Sequence, residues 1–170
     1  MRILGIDHAT RTGWSVLENG VCIKTGFFYL RKEGEERLLE YKRRIDKLID
    51  EIKPDKIAME LPEHQRNGKV LRYLVGLYSM NKLSALEHEI RAYEINPTTM
   101  KKFITGNGRA KKGEVLRALV DLYGVEEDLI TKPIVNTKGQ VRDFYYDESD
   151  ATALAIFLYN NTVLPIKYYE

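Results

Sequence analysis

The pair Asn19-Gly20 constrains this chain more than any other feature. Such a pair between apolar and aromatic runs forms a two-residue hairpin, because both turn positions need positive φ. Residues 14–17 lead into it as a strand, and residues 21–30, rich in Phe and Tyr, lead out as another. Ahead of them, residues 2–6 read as a strand ending at Asp7, and ATRTG reads as a turn punctuated by Gly13. The chain therefore opens as an antiparallel meander.

The period then changes. Leu38, Tyr41, Ile45, Leu48 and Ile52 recur at helical steps, and Pro54 stops the helix. Residues 56–59 are a buried strand running into Glu60, residues 69–89 a long helix, and residues 90–95 another strand. Asn96-Pro97-Thr98-Thr99 is a helix start, broken at residues 105–108. A further helix is expected over 110–123, a loop over 125–146, and a last helix over 147–159. Three antiparallel strands followed by strands alternating with helices predict an α/β fold. The expected architecture is a mixed five-stranded sheet flanked by helices, in the ribonuclease-H-like order. A length of 170 residues fits one domain, 1–170.

Composition excludes several classes. With 44% hydrophobic and 31% charged residues the chain is not disordered. Cys22 is the lone cysteine, so no disulfide can form within the chain. The apolar N-terminal run meets Asp7 too early for a signal peptide. No apolar run approaches the ~20 residues that span a bilayer. The expectation is a cytoplasmic protein, or one in the host cytoplasm if viral, with no membrane partner. Charge is uneven along the chain. Residues 96–124 hold six bases against two acids, and residues 125–150 seven acids against three bases. A basic block beside an acidic one suits a polyanion held near carboxylate chemistry, although two solvated faces would look the same.

Asp7 and Glu60 stand at the ends of strands that this architecture makes neighbours. Asp147 and Asp150 are three apart in the first turn of the last helix, hence on one face. Taken singly, Asp7 reads as a turn residue, Glu60 as a strand exit, and the Asp147/Asp150 pair as a helix cap. Together they predict a cluster of acids that stays ionised only with cations. Oxygen-only ligands select Mg²⁺ or Mn²⁺, and two such ions are the usual apparatus of phosphodiester hydrolysis.

These residues resemble the RuvC family of Holliday-junction resolvases, from Ile3 to about Tyr159. Ile3-Leu4-Gly5-Ile6-Asp7 and Thr12-Gly13-Trp14-Ser15 are similar to the family's opening strand and turn, and Ala58-Met59-Glu60 to its second acidic strand. Pro97, Lys101-Lys102, Thr105-Gly106-Asn107-Gly108 and Ala110-Lys111-Lys112 resemble its basic helix-turn-helix stretch, and Asp147 to Ala155 its closing acidic helix. The resemblance implies a homodimer that nicks opposed strands of a four-way junction, leaving a 5′-phosphate and a 3′-hydroxyl. It implies two Mg²⁺ or Mn²⁺ ions per site, held by the catalytic acids Asp7, Glu60, Asp147 and Asp150, with Asp7 bridging both. It also implies that Lys101, Lys102, Arg109, Lys111 and Lys112 hold phosphates, while Gly106 and Gly108 let the backbone approach the strand.

The chain departs from the family in places. Where many members carry an aromatic wedge after the second acid, it has Glu63, and its last helix lacks a histidine; His64 reads as a loop residue. Phe144-Tyr145-Tyr146 is aromatic and reads as core packing or as a stacking surface for an unpaired base. The helix over 69–89 is apolar beyond one stripe, through Val70, Leu77, Met80 and Leu83, which makes it a candidate dimer surface. Three other functions compete: a less selective branched-DNA nuclease, a non-catalytic junction binder and an actin-like nucleotide binder. Relative cutting of forks, binding without cleavage, and ATP turnover would identify them respectively.

Overall fold

The computed structural model describes residues 1–62 and 67–163; Glu63 and His64 lie outside them. The meander forms as expected, through β1 (Arg2–Asp7), β2 (Arg11–Glu18) and β3 (Val21–Tyr29). Asn19 and Gly20 turn it with φ of 50° and 88°. The residues expected to form a turn before residue 14 instead begin β2 at Arg11. Gly13 lies inside that strand, paired with Asp7, so it punctuates nothing.

Helix α1 (Gly34–Ile52) buries Tyr41, Ile45, Leu48, Ile49 and Ile52, and Lys53 closes it in the left-handed conformation just before Pro54. β4 (Lys56–Glu60) then lies parallel to β1, and after α2 (Gly68–Glu87), β5 (Arg91–Ile95) lies parallel to β4. The sheet is five-stranded and mixed, in the order β3-β2-β1-β4-β5. α3 (Pro97–Thr105) starts on an Asn96 side chain that accepts from the Thr99 N–H. α4 (Lys112–Tyr123) starts two residues later than the periodicity suggests. There the Glu114 carboxylate accepts from the Lys111 N–H at 2.7 Å and fixes the first turn.

The stretch expected as a loop, 125–146, is ordered differently. It holds a short helix, α5 (Glu127–Ile130), and a hairpin of β6 (Lys132–Val135) and β7 (Val141–Tyr145). Asn136 and Gly139 build the hairpin turn, with Gly139 at φ 77°. α6 (Asp147–Val163) closes the fold.

Alternation along β1 divides the core. Leu4 and Ile6 face the side packed by α1 and α2, while Ile3 faces the side packed by α3, α4 and α6. Gly5 and Asp7 share the face of Ile3, so β1 delivers Asp7 to the side on which α6 lies. Among the described residues, no helix is long and apolar enough to cross a membrane.

Candidate active site

Ile6 of β1 pairs with Met59 of the parallel strand β4, so Asp7 and Glu60 leave neighbouring strands at one edge of the sheet. Sites of open α/β sheets collect at such carboxyl ends. Two glycines bring α6 down onto that edge. A Cβ at Gly5 would stand 2.0 Å from the Ala151 carbonyl oxygen, and one at Gly13 would stand 2.3 Å from the Asp147 carbonyl. Because Gly13 is the register partner of Asp7, the first turn of α6 meets the sheet beside the first acid.

The electrostatics register this gathering. Burial, then the charges of Asp150 and Glu60, then Asp147, hold the Asp7 carboxyl well above the usual aspartate range, while Lys112 pulls it down. Burial also raises Asp150, against the pull of Lys112, whose Nζ lies 2.8 Å from Asp150 Oδ2. Of the four expected acids, Asp150, Glu60 and Asp147 thus all act on Asp7, and Asp147 also acts on Asp150.

Two cations answer them. Lys112, expected among the phosphate-binding bases, is paired with Asp150, and Lys101 lies close enough to lower the same carboxyl. The second cation, Arg11, is one that the sequence reading missed. Its guanidinium donates to Asp147 and makes a two-pronged pair with Glu148, at 2.8 and 2.9 Å. It is stacked on both faces as well, 4.0 Å from the centre of the Phe27 ring and 4.2 Å from that of Tyr145. Glu148 is fully buried. The one guanidinium is thus shared between Glu148 and Asp147, and its N–H orients the Asp147 carboxylate. Nothing local in the sequence signals this pair, since Arg11 and Glu148 are 137 residues apart.

His8, next to Asp7, is buried, and its Nδ1 has no hydrogen-bond partner among the described residues. Burial pushes its pKa down to about 4, so the ring is neutral at pH 7.

Lys102, Arg109 and Lys111 are exposed around the α3–α4 turn, and Lys101 is half-buried. Gly106 caps α3 at φ 79° with open space beside it, whereas Gly108 is pressed against Thr98, where a Cβ would meet Cγ2 at 2.9 Å. Of the aromatic triplet, Tyr145 stacks on Arg11, Tyr146 packs against the core, and Phe144 faces away toward α4.

As the side chains stand, among the described residues no three acids, histidines or cysteines close around one point to hold an ion. The donor set nevertheless fits a divalent cation. Its donors are all oxygens, and carboxyls held high by burial and by one another's charge are relieved by a hard cation.

The mixed sheet with its acid-lined carboxyl edge defines the class, a ribonuclease-H-like nuclease fold. The family described as Crossover junction endodeoxyribonuclease RuvC matches residues 3–157. The protein of that description from Petrotoga mobilis is 34% identical over 134 residues, which cover 75% of this chain and 82% of the relative. The structure of Thermus thermophilus RuvC superposes with a TM-score of 0.71 at 18% identity, over 94% of this chain and 95% of that one. The same protein in complex with a Holliday junction substrate gives a TM-score of 0.72 at 16% identity, over 94% of each chain. The chain belongs to the RuvC family and is a structure-specific endodeoxyribonuclease.

Proposed function

We propose that this chain resolves four-way DNA junctions by paired nicks, as a homodimer whose subunits each form one nuclease domain over residues 1–170. The observation that carries this reading is that Asp7 and Glu60 end neighbouring parallel strands, and that the first turn of α6, with Asp147 and Asp150, is seated on Gly13, the register partner of Asp7. Asp7, Glu60, Asp147 and Asp150 would hold Mg²⁺ or Mn²⁺, two ions per site. When bound, the metal supplies charge stabilisation at the scissile phosphate and a more acidic water. Attack in line leaves a 5′-phosphate and a 3′-hydroxyl.

The protein's own groups do the rest. Arg11 orients Asp147 through its N–H. Lys112 pairs with Asp150 at 2.8 Å and would be free to meet a phosphate where a divalent cation took over that charge. Lys101, Lys102, Arg109 and Lys111 line the approach and hold the backbone of branched DNA, with Gly106 and Gly108 shaping the turn between them. Of the α2 residues expected on a dimer surface, Leu77 is buried and Met80 packs on the core; the exposed Leu83, with Val75 and Leu86 on the same side, would supply the apolar surface for a second copy. The cytoplasm, or a host's cytoplasm, suits such an activity.

A broader nuclease acting on forks and flaps is the second reading, favoured by Glu63 at the position of the family's aromatic wedge. Labelled four-way junction, fork and plain duplex, each incubated in Mg²⁺ with parent and Asp7→Asn protein, separate the two. Symmetric nicks confined to the four-way junction and absent in the variant support resolution. Comparable cutting of the fork supports the broader enzyme. Binding without any cutting would remove the catalytic reading.

A further inference from the structure

A cleft of about 430 Å³ lies between α4 and the β6–β7 hairpin. That volume is in the range of small-ligand sites, ~300–1,000 Å³. Leu116 and Val120 line it from α4, and Phe144 and Tyr146 from the hairpin side. Phe144 keeps 37% of its surface exposed. Its place follows from strand alternation, since β7 turns Tyr145 in to Arg11 and therefore turns Phe144 out to the cleft.

The cleft adjoins the acids at two points. Gly113, in its lining, directly follows Lys112, which holds Asp150. Tyr146 directly precedes Asp147, and its carbonyl accepts from the Asp150 N–H at 2.8 Å and from Ser149 Oγ at 2.7 Å. The cleft is thus lined by the immediate chain neighbours of Lys112 and Asp147, which places it beside the acids.

The chemistry of the lining selects what enters. Aromatic and aliphatic walls suit the face of a nucleobase. Asp121 and Glu127, on the same lining, repel a phosphate, while Arg117 beside them can meet backbone at the mouth. A paired base inside a duplex cannot reach a pocket of this kind, but an unpaired or splayed base can.

We propose that this cleft receives one unpaired base of the strand being cut, next to the scissile phosphate. The proposal rests on the nuclease reading and deepens it. Readiness of a base to leave its pair near a branch point then becomes part of substrate choice, and the hairpin supplies a stacking surface other than the position of Glu63.

The test uses the full chain carrying Asp7→Asn, so that bound junction stays intact. 5-Iodouracil, which cross-links to aromatic rings in contact with it, is placed in turn at each position around the nick site. After irradiation the linked residue is mapped by mass spectrometry. The expected result is one position that links to Phe144 or Tyr146, with loss of the Phe144 link on Phe144→Ala. In the otherwise parental protein, Phe144→Ala is expected to slow junction cleavage about tenfold, as loss of one base stack would. Affinity for plain duplex should hold, and Phe144→Trp should restore the rate. Links that map only elsewhere, or a Phe144→Ala protein that cuts at the parental rate, would overturn the proposal. Cross-linking is scored without cleavage. Failure of the parent to cut any DNA, with the Phe144 link present, would therefore end the nuclease reading and leave the base subsite standing.

Discussion

Asp7 and Gly13 are register partners across β1 and β2, and Gly13 is where the Asp147 carbonyl rests on the sheet. The first acid and the last helix are therefore joined through a residue with no side chain. The spacing between Asp7 and Asp147 depends on that contact more than on either acid.

Gly13→Ala follows directly. Its Cβ would fall 2.3 Å from the Asp147 carbonyl, and backbone on both sides leaves no flexible group to yield. α6 must lift. Overpacking of this kind costs ~1–3 kcal/mol or more. Urea denaturation should show that loss, and cleavage should fall by far more than stability alone explains, because Asp147 and Asp150 move away from Asp7. A variant with parental cleavage would show that α6 can shift without disturbing the acids.

The Arg11–Glu148 pair permits a sharper measurement. Arg11→Met leaves the fully buried Glu148 carboxylate without its partner. Stranding one member of a buried pair costs ~3–5 kcal/mol. Adding Glu148→Gln removes the stranded charge and should recover part of the loss, giving a large coupling in a double-mutant cycle. Stability should return further than activity, since Asp147 still lacks its orienting N–H. Full recovery of cleavage in the double variant would mean that Arg11 serves the fold alone.

How much of this was legible in the sequence differs from one part of the molecule to another. Asn19-Gly20, the helical stripe ending before Pro54 and the Asn96-Pro97 start are local signals, and each produced the expected element. The positions of Asp7, Glu60, Asp147 and Asp150 could be read because each stands at an element end. The β6–β7 hairpin could not, because its strands are four and five residues long and mostly exposed, which leaves little alternation to read. Arg11 and Gly13 were hidden for another reason. In sequence they read as part of a turn, and their partners lie more than 130 residues away. Only the docking of α6 gives them their roles.

Asp7 makes a prediction about pH and metal. A carboxyl raised by folding binds its proton more readily folded than unfolded. The metal-free protein should therefore lose stability as pH rises from the ordinary aspartate value, about 3.9, through the raised one. Asp7→Asn keeps the shape without titrating. It should melt above the parent at neutral pH without metal, with the difference closing below about pH 3.9. Mg²⁺ or Mn²⁺ should raise the parent's Tm, by the equivalent of ~2.7 kcal/mol at a hundredfold excess over Kd, and the variant's much less. Equal shifts in both proteins would place the ion elsewhere.

His8 works in the opposite direction. Burial lowers its pKa to about 4 from an unfolded value near 6.5. The folded state thus resists the proton that the unfolded chain accepts. Stability from this residue is fully present above about pH 6.5 and drains away as pH falls toward 4, by at most about 3 kcal/mol. The raised Asp7 carboxyl adds stability as pH falls, so the parent's own curve holds both effects. His8→Gln separates them, because the amide has no proton to gain while Asp7 is common to both proteins. The difference in unfolding free energy between parent and variant should be flat above pH 6.5 and should shift in favour of the variant as pH falls toward 4. A difference constant across that range would mean that His8 stays solvated enough to titrate normally, and that its buried Nδ1 finds water at the edge of the acid cluster.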